Sequence, residues 1–470
     1  MNKDIKNIYK LDGKVPIKNA IPYGLQHVLA MFIANIAPII IICGVAKYNG
    51  LALTSIETAT LIQNAMIIAG IGTLIQLYPI WKVGSKLPIV MGISFTFVSV
   101  LVGLASNDYG IMIGATIIGG IIEGILGLTF KYWKKLISPL TSACVVLTIG
   151  ISLLPIGIES FGSSSVYPMG SMPNIIVATF TLLSCLLFQI FMKGPKKQLN
   201  VLFGLVMGYL FSLIYGMFDF NSITTTINEI GIVALPKIFS FTPKFDLSAI
   251  ISVTLIYLVS AAETIGDTTA ISKGGLNRTI KDSEISGSLA CDGFTSAISS
   301  GVFNTPPITS FSQNVGLVSM TKVVNRYTIM FGALILIIAG LFPPIGAFFS
   351  TLPDCVLGGC TVMMFGTIIV SGIKMLTECD LTSNRNITII ALSLSIGIGI
   401  TQVNGFFNFM PKVIQDIFSG NPVAGVFLIA TILELLLPKK ALNDWHLMFF
   451  FYNRKLWKEN LNTIMKMIIF

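Results

Sequence analysis

Apolar runs of about 20 residues recur from Ile21 almost to Leu437, and about 20 such residues make a helix long enough to cross a bilayer. That recurrence is too extensive for a signal peptide or a single anchor. Only 11% of the 470 residues are charged, against about a quarter in soluble domains. The chain therefore reads as an all-α polytopic membrane protein.

The formal charge of +9 does not point to nucleic acid, because the basic residues fall in short loops between the apolar runs. Such a bias marks the inner side of a membrane. The seven cysteines form no C-x-x-C pair, and with two histidines no His-built metal site is expected. No cofactor is implied, and no Ser-His-Asp, metal or nucleotide-phosphate motif suggests an enzyme.

Fourteen segments are expected, at 20–44, 55–80, 86–104, 109–130, 137–158, 173–192, 199–217, 247–268, 283–302, 306–323, 326–349, 353–376, 386–404 and 419–437. Starting from an inside N-terminus, the inner loops carry Lys82 and Lys86, Lys131 and Lys134, Lys196 and Lys197, Lys322 and Arg326, and Lys374 and Arg385. Outer loops carry Asp108, Glu159, Asp246 and Asp354 against few lysines. The asymmetry places both termini in the cytoplasm. An even count of fourteen divides into two sevens, and an odd-numbered half must be inverted relative to its twin.

Segment ten is broken. Pro306 and Pro307 cannot donate backbone hydrogen bonds, so no regular helix runs through them. Ser312, Gln313 and Asn314 follow, where a new helix should begin. A broken helix at membrane depth survives only where protein buries it or a wet cavity meets it. Segment three echoes this pattern: Leu87 to Phe95 lines up with Pro306 to Asn314, matching Pro88 with Pro307. Paired interruptions in two halves point to a transporter's binding site.

A carboxylate placed mid-membrane costs ~2.5–3.5 kcal/mol, so such residues face a cavity or a partner. Glu263 and Asp267 stand four apart in segment eight, which puts them on one helical face, and the pair is expected to carry a proton. Asp292, midway through segment nine, is a further member of a proton relay or a helix cap. Gln26 and His27 lie near the start of segment one, with His27 expected to pack that segment against segment eight. Glu123 and Glu434 are expected to make helix-helix contacts.

Gln313-Asn314-Val315-Gly316, four residues, then Thr321-Lys322, resembles the signature of the nucleobase–ascorbate transporter family. Gln26-His27, the stretch from Pro88 to Phe97, and Glu263 to Asp267 resemble its motifs in segments one, three and eight. The resemblance implies two inverted seven-segment repeats, with a short strand and half-helix in segments three and ten. It implies a cytoplasmic tail (1–19), a core domain (20–135 and 247–350), a gate domain (136–246 and 351–438) and a second tail (439–470). Members form homodimers through their gate domains and carry nucleobases by an elevator-like movement of the core, in bacteria mostly with H⁺. By position, Glu263, Gln313, Phe95, Ser312, Asp267 and Ala34 would surround the base. Glu263, Asp267 and Asp292 would couple protons, while Asn314, Thr321, His27 and Gln26 would support the site. Uracil carriers tend to have Glu at position 313 and xanthine or urate carriers Gln. An amide offers a donor and an acceptor together, which favours an oxidised purine over uracil. A sulfate or bicarbonate carrier shares the gross architecture, but no cation lies between Pro306 and Met320.

Overall fold

The computed structural model describes residues 5–134, 138–218 and 220–438, so the expected C-terminal tail at 439–470 lies outside the described residues. The main helices are α1 (Ile17–Val45), α2 (Ser55–Leu77), α3 (Val98–Asn107), α4 (Tyr109–Leu128), α5 (Pro139–Gly162), α6 (Met172–Phe191), α7 (Asn200–Ser212) and α8 (Leu247–Ala270). They continue as α9 (Asp282–Gly301), α10 (Ser312–Thr321), α11 (Arg326–Gly340), α12 (Pro343–Ser350), α13 (Asp354–Thr377), α14 (Asn384–Gln402) and α15 (Pro422–Leu436). Two short strands, β1 (Met91–Ile93) and β2 (Ile308–Ser310), precede α3 and α10.

Among the described residues, eight helices are long and apolar enough to cross a membrane, and α11 with α12 makes a ninth candidate if that bent pair counts as one. The other expected segments meet shorter or more polar elements, among them α3, α9, α10, α14 and α15. Segment eleven is not the single helix expected. It bends by 78° between α11 and α12, where Pro343 and Pro344 withhold backbone donors.

Helix starts follow local chemistry. Thr54 and Glu57 form a reciprocal capping box on α2. Asp108 accepts from Gly110 N at 2.7 Å on α4 and also pairs with Lys244 at 2.6 Å. Asp246 caps α8, and the bond from Ala249 N–H helps hold its carboxyl below the usual carboxylate range.

Packing falls into two groups. Helices α1 to α4 and α8 to α11 pack on one another, while α5, α6, α7 and α13 pack together, with α14 and α15 alongside α5. A close crossing joins α4 to α9, where a Cβ added to Gly293 would lie 2.1 Å from Gly124 N. Backbones meet there because small residues remove the side chains between them.

β1 and β2 pair antiparallel, with Met91 opposite Ser310, Gly92 opposite Thr309 and Ile93 opposite Ile308. This corrects the expected internal echo by two residues. As strand ends leading into half-helices, Ser94 and Phe95 correspond to Phe311 and Ser312, not to Gln313 and Asn314. The prolines do not set the register. Residues 88–90 lead into β1, where Pro88 O accepts from Asn314 Nδ2 and Val90 O accepts from Phe311 N.

The N-terminal segment is a fastened strap. Ile8 is buried, and its carbonyl accepts from Val324 N and Asn325 N, just past the end of α10. Asn325 Nδ2 donates to Lys10 O and Gly13 O, and Arg326 pairs with Asp12. Arg326 also donates to Leu77 O at 2.8 Å and lies over the Tyr78 ring. The Asp12 carboxylate is 70% exposed, so its pairing contributes about 0–1 kcal/mol. Arg326→Ala is therefore expected to lower the thermal midpoint of the purified protein more than Asp12→Ala does. Equal shifts in a detergent melting assay would mean that Arg326 holds the strap through the ion pair alone.

Candidate functional site

The two half-helices start at the same place. β1 leads through Ser94 to Phe95, β2 leads through Phe311 to Ser312, and all four residues line one cavity of about 820 Å³. Much of the backbone at the two breaks is paired by side chains and by the facing strand. Ile93 N donates to Asn35 Oδ1 at 2.8 Å, and Met91 N donates to Thr73 Oγ1 at 2.9 Å. Ser94 N donates to Pro307 O at 3.1 Å. A row of serines on α9 serves the other strand: Ser296 bonds both Ile308 O and Ile308 N, Ser299 donates to Pro306 O, and Ser300 donates to Thr305 O.

Ala34, Phe95, Glu263, Ser312 and Gln313 all line the cavity. The opposite wall comes from the second packing group and is apolar at Val146, Met363 and Met364, with Thr367, Ser371 and Asn200 also lining the cavity. Phe95 meets Phe365 of α13 edge to face, 5.4 Å between ring centroids. Ser312 and Gln313 are the first residues of α10, and Phe311 supplies no side-chain cap. Their N–H groups thus belong to the unpaired first turn of a helix, which attracts carbonyl oxygens and anions. At its other end the cavity reaches Lys197 and Lys374, residues of loops expected to lie inside.

Asp267 stands behind this surface. It is buried, does not line the cavity, and accepts from Ser310 Oγ at 2.9 Å and Ser312 Oγ at 3.0 Å. Ser312 Oγ also lies 3.3 Å from Glu263 Oε1, and Thr96 donates to Glu263 Oε2 at 2.6 Å. Asp292 lies deeper. It accepts from Thr264 Oγ1 at 2.5 Å, Gln76 Nε2 at 3.3 Å and Ser310 N at 3.4 Å. Thr264 and Ser310 hydroxyls are 3.3 Å apart. Three carboxyls are thus joined through Ser312, Ser310 and Thr264 in one chain from the cavity into the helix bundle. Hydroxyls both donate and accept, so such a chain is able to pass a proton.

The supporting residues take other places than their spacing suggests. His27 bonds Asn314 of α10, not segment eight as expected. Asn314 Nδ2 donates to Pro88 O at 2.9 Å, which leaves Oδ1 as the acceptor and puts the proton on His27 Nδ1. Asn314 is the buried bolt between α1, α10 and the lead-in to β1. Thr321 donates to Leu317 O and accepts from Val323 N, closing the end of α10. Lys322 follows in the left-handed region with φ 59°. Gln26 is half-buried and does not line the cavity. Glu434 meets Ser138, Thr141 and Arg385 in a contact between helices. Thr96, Thr264, Asn35 and the α9 serines were not anticipated, because single hydroxyls and amides in helices carry no periodic signal and their partners are remote in sequence.

Comparison with solved structures gives the fold. The transmembrane domain of the cyanobacterial bicarbonate transporter BicA matches with a TM-score of 0.52 at 14% identity, over 90% of this chain and 99% of that one. The murine anion transporter Slc26a9 matches with a TM-score of 0.56 at 12% identity, over 92% and 70%. Sequence relatives are closer. A putative purine permease of Clostridium perfringens is 34% identical over 427 residues, 90% of this chain and 92% of its own. The xanthine permease XanQ of Escherichia coli is 32% identical over 450 residues, 92% and 94% of the two chains. A xanthine permease of Bacillus subtilis is 34% identical over 415 residues, 86% and 90%. The Xan_ur_permease profile, a permease family, matches residues 18–406, and the chain belongs to that family, the nucleobase–ascorbate transporters.

Proposed function

We propose that this protein imports an oxidised purine base, xanthine or urate, across the cytoplasmic membrane by proton symport. The observation that carries this reading is the pairing, in one cavity, of the Glu263 carboxylate and the Gln313 amide with the open N-terminus of α10. An oxidised purine alternates ring N–H and C=O groups along its edge. Glu263 accepts from ring N–H groups, while Gln313 and the first N–H groups of α10 meet the carbonyls. Phe95 and Ala34 flank the ring. Asp267 reaches the base only through Ser312 and acts as the proton partner of Glu263. Uracil offers a shorter edge of the same kind, and the amide at position 313 favours the purine. A site that bonds a particular group rejects analogues lacking it, because its own polar atoms go unpaired.

The two packing groups support a core domain carrying the site and a gate domain facing it, arranged as fourteen segments in two inverted repeats. The cavity's reach to Lys197 and Lys374 fits a state open toward the cytoplasm, with both termini on that side. Elevator-like displacement of the core past the apolar gate wall would close this path and open the other. Two copies would join through their gate domains. A proton on the Glu263–Asp267 pair, passed along Ser310 and Thr264 toward Asp292, lets the base bind from outside. An inward potential adds ~2.3 kcal/mol per charge per 100 mV, enough for tens-fold accumulation.

Uptake of a labelled base panel in a purine-uptake-deficient host, with and without a protonophore, tests substrate and coupling together. Xanthine or urate uptake should collapse with the protonophore and vanish in Glu263→Gln, while that variant still inserts. Near-normal xanthine accumulation by Glu263→Gln would reject the assignment. Gln313→Ala and Asn314→Ala should separate reading from support. The first is expected to weaken xanthine binding at least tenfold with little change in thermal midpoint. The second strands the Pro88 carbonyl and His27, and is expected to destabilise the fold by about 2 kcal/mol or more.

A further inference from the structure

The N-terminal strap and the first turn of α1 turn their basic side chains away from the protein. Ile8, Val15 and Ala20 are buried and pack with Tyr23, Tyr327 and Phe331, which fixes one side of the strap against α1 and α11. Lys6, Lys10, Lys14 and Lys18 are exposed. Among the described residues none of the four makes an ion pair or a side-chain hydrogen bond. Asp12, between them, is taken up by Arg326. These lysines are left for a partner outside the chain.

A second element projects beside the strap. Ile80 and Val83 exchange backbone hydrogen bonds at 3.0 Å, closing a tight turn with Trp81 and Lys82 at its tip. Gly84 N donates to Gly287 O at 2.8 Å, which ties the turn to α9. Trp81 has φ 55°, a left-handed conformation that a bulky residue rarely adopts. Its side chain is 76% exposed, and Lys82 Nζ lies 5.1 Å from its ring centroid. Backbone strain that holds a tryptophan outward calls for a surface to receive it. Arg326 joins the two elements, since it pairs with Asp12, donates to Leu77 O at 2.8 Å and lies over the Tyr78 ring. Strap and turn therefore share one fastened corner, and little is left to order when a partner binds.

The apolar neighbours of the lysines identify the partner. Ile17 and Ile21, 55% and 41% exposed, share one face at the start of α1, a helix apolar enough to cross a membrane. Tryptophan is enriched in the headgroup layer, and lysine clusters beside a crossing helix attract anionic lipid. An acidic protein would use the lysines but would leave the isoleucines and Trp81 unexplained. We propose that Lys6, Lys10, Lys14 and Lys18, with the Trp81–Lys82 turn, form a binding surface for the phosphate headgroups of anionic phospholipid. The lysines hold the headgroups, and Trp81 sits among them. That the leaflet is the cytoplasmic one rests on the orientation proposed above.

Tryptophan quenching by brominated lipid tests it. The full chain is reconstituted in vesicles of equal parts phosphatidylglycerol and phosphatidylcholine, with bromine carried on the acyl chains of one or the other. The signal of wild type minus Trp81→Phe isolates Trp81 from the other tryptophans. Random mixing around the protein would quench Trp81 equally in both preparations. Quenching at least twofold stronger from brominated phosphatidylglycerol is expected. The preference should vanish in the combined Lys6→Gln, Lys10→Gln, Lys14→Gln and Lys18→Gln variant, whose changes are all at exposed positions. Equal quenching in wild type, a Trp81 that neither lipid quenches, or a preference that survives the four substitutions would overturn the proposal. Added inorganic phosphate should leave the preference intact, and its loss would mean that the lysines take a free anion instead. Labelling of Lys10→Cys by an impermeant thiol reagent outside intact cells would defeat the cytoplasmic placement, while the quenching preference still decides the lipid.

Discussion

The antiparallel pairing of β1 with β2 is the constraint on which the rest depends. Two chain breaks meet inside a bundle of apolar helices, where water is not available to satisfy free backbone groups. Only six residues form the pair, too few to settle the account alone. Asn35, Thr73, Asn314 and the α9 serines supply what is missing, each from a different helix or turn. Removing the breaks would remove the site, because two uninterrupted helices present no N-terminus at mid-membrane. The half-helices exist so that unpaired N–H groups and a few side chains converge on one cavity.

Placement explains why carboxyls are tolerated beside that cavity. Glu263 is exposed to it and held by Thr96, while Asp267 and Asp292 retreat behind hydroxyls. Each step away from the cavity exchanges solvent for protein donors. Val146, Met363 and Met364 give the facing wall an apolar part, while Thr367, Ser371 and Asn200 add polar groups to the same cavity.

Much of this was legible in the amino-acid order. The apolar runs placed the helices, the paired prolines placed the break, and the four-residue spacing of Glu263 and Asp267 placed both near the site. What could not be read was depth. Spacing puts Glu263 and Asp267 on one face, but only the packing of β2 decides that one meets the cavity and the other meets Ser310. The echo between the halves was visible but misregistered by two residues, since prolines stood in for a strand register that backbone pairing sets. His27 was given the wrong partner because its contact with Asn314 spans 287 positions, and local pattern is blind to such a contact. The lysine-rich N-terminal segment looked like a free tail because its fastening uses carbonyls and Asn325, not an apolar periodicity.

The central claim is that base and proton enter together through one site. Proteoliposomes containing the purified protein and an internal pH indicator test it most directly, with xanthine added outside at zero membrane potential. The account predicts internal acidification that starts with xanthine entry and scales with it. Xanthine entry with no acidification would contradict it.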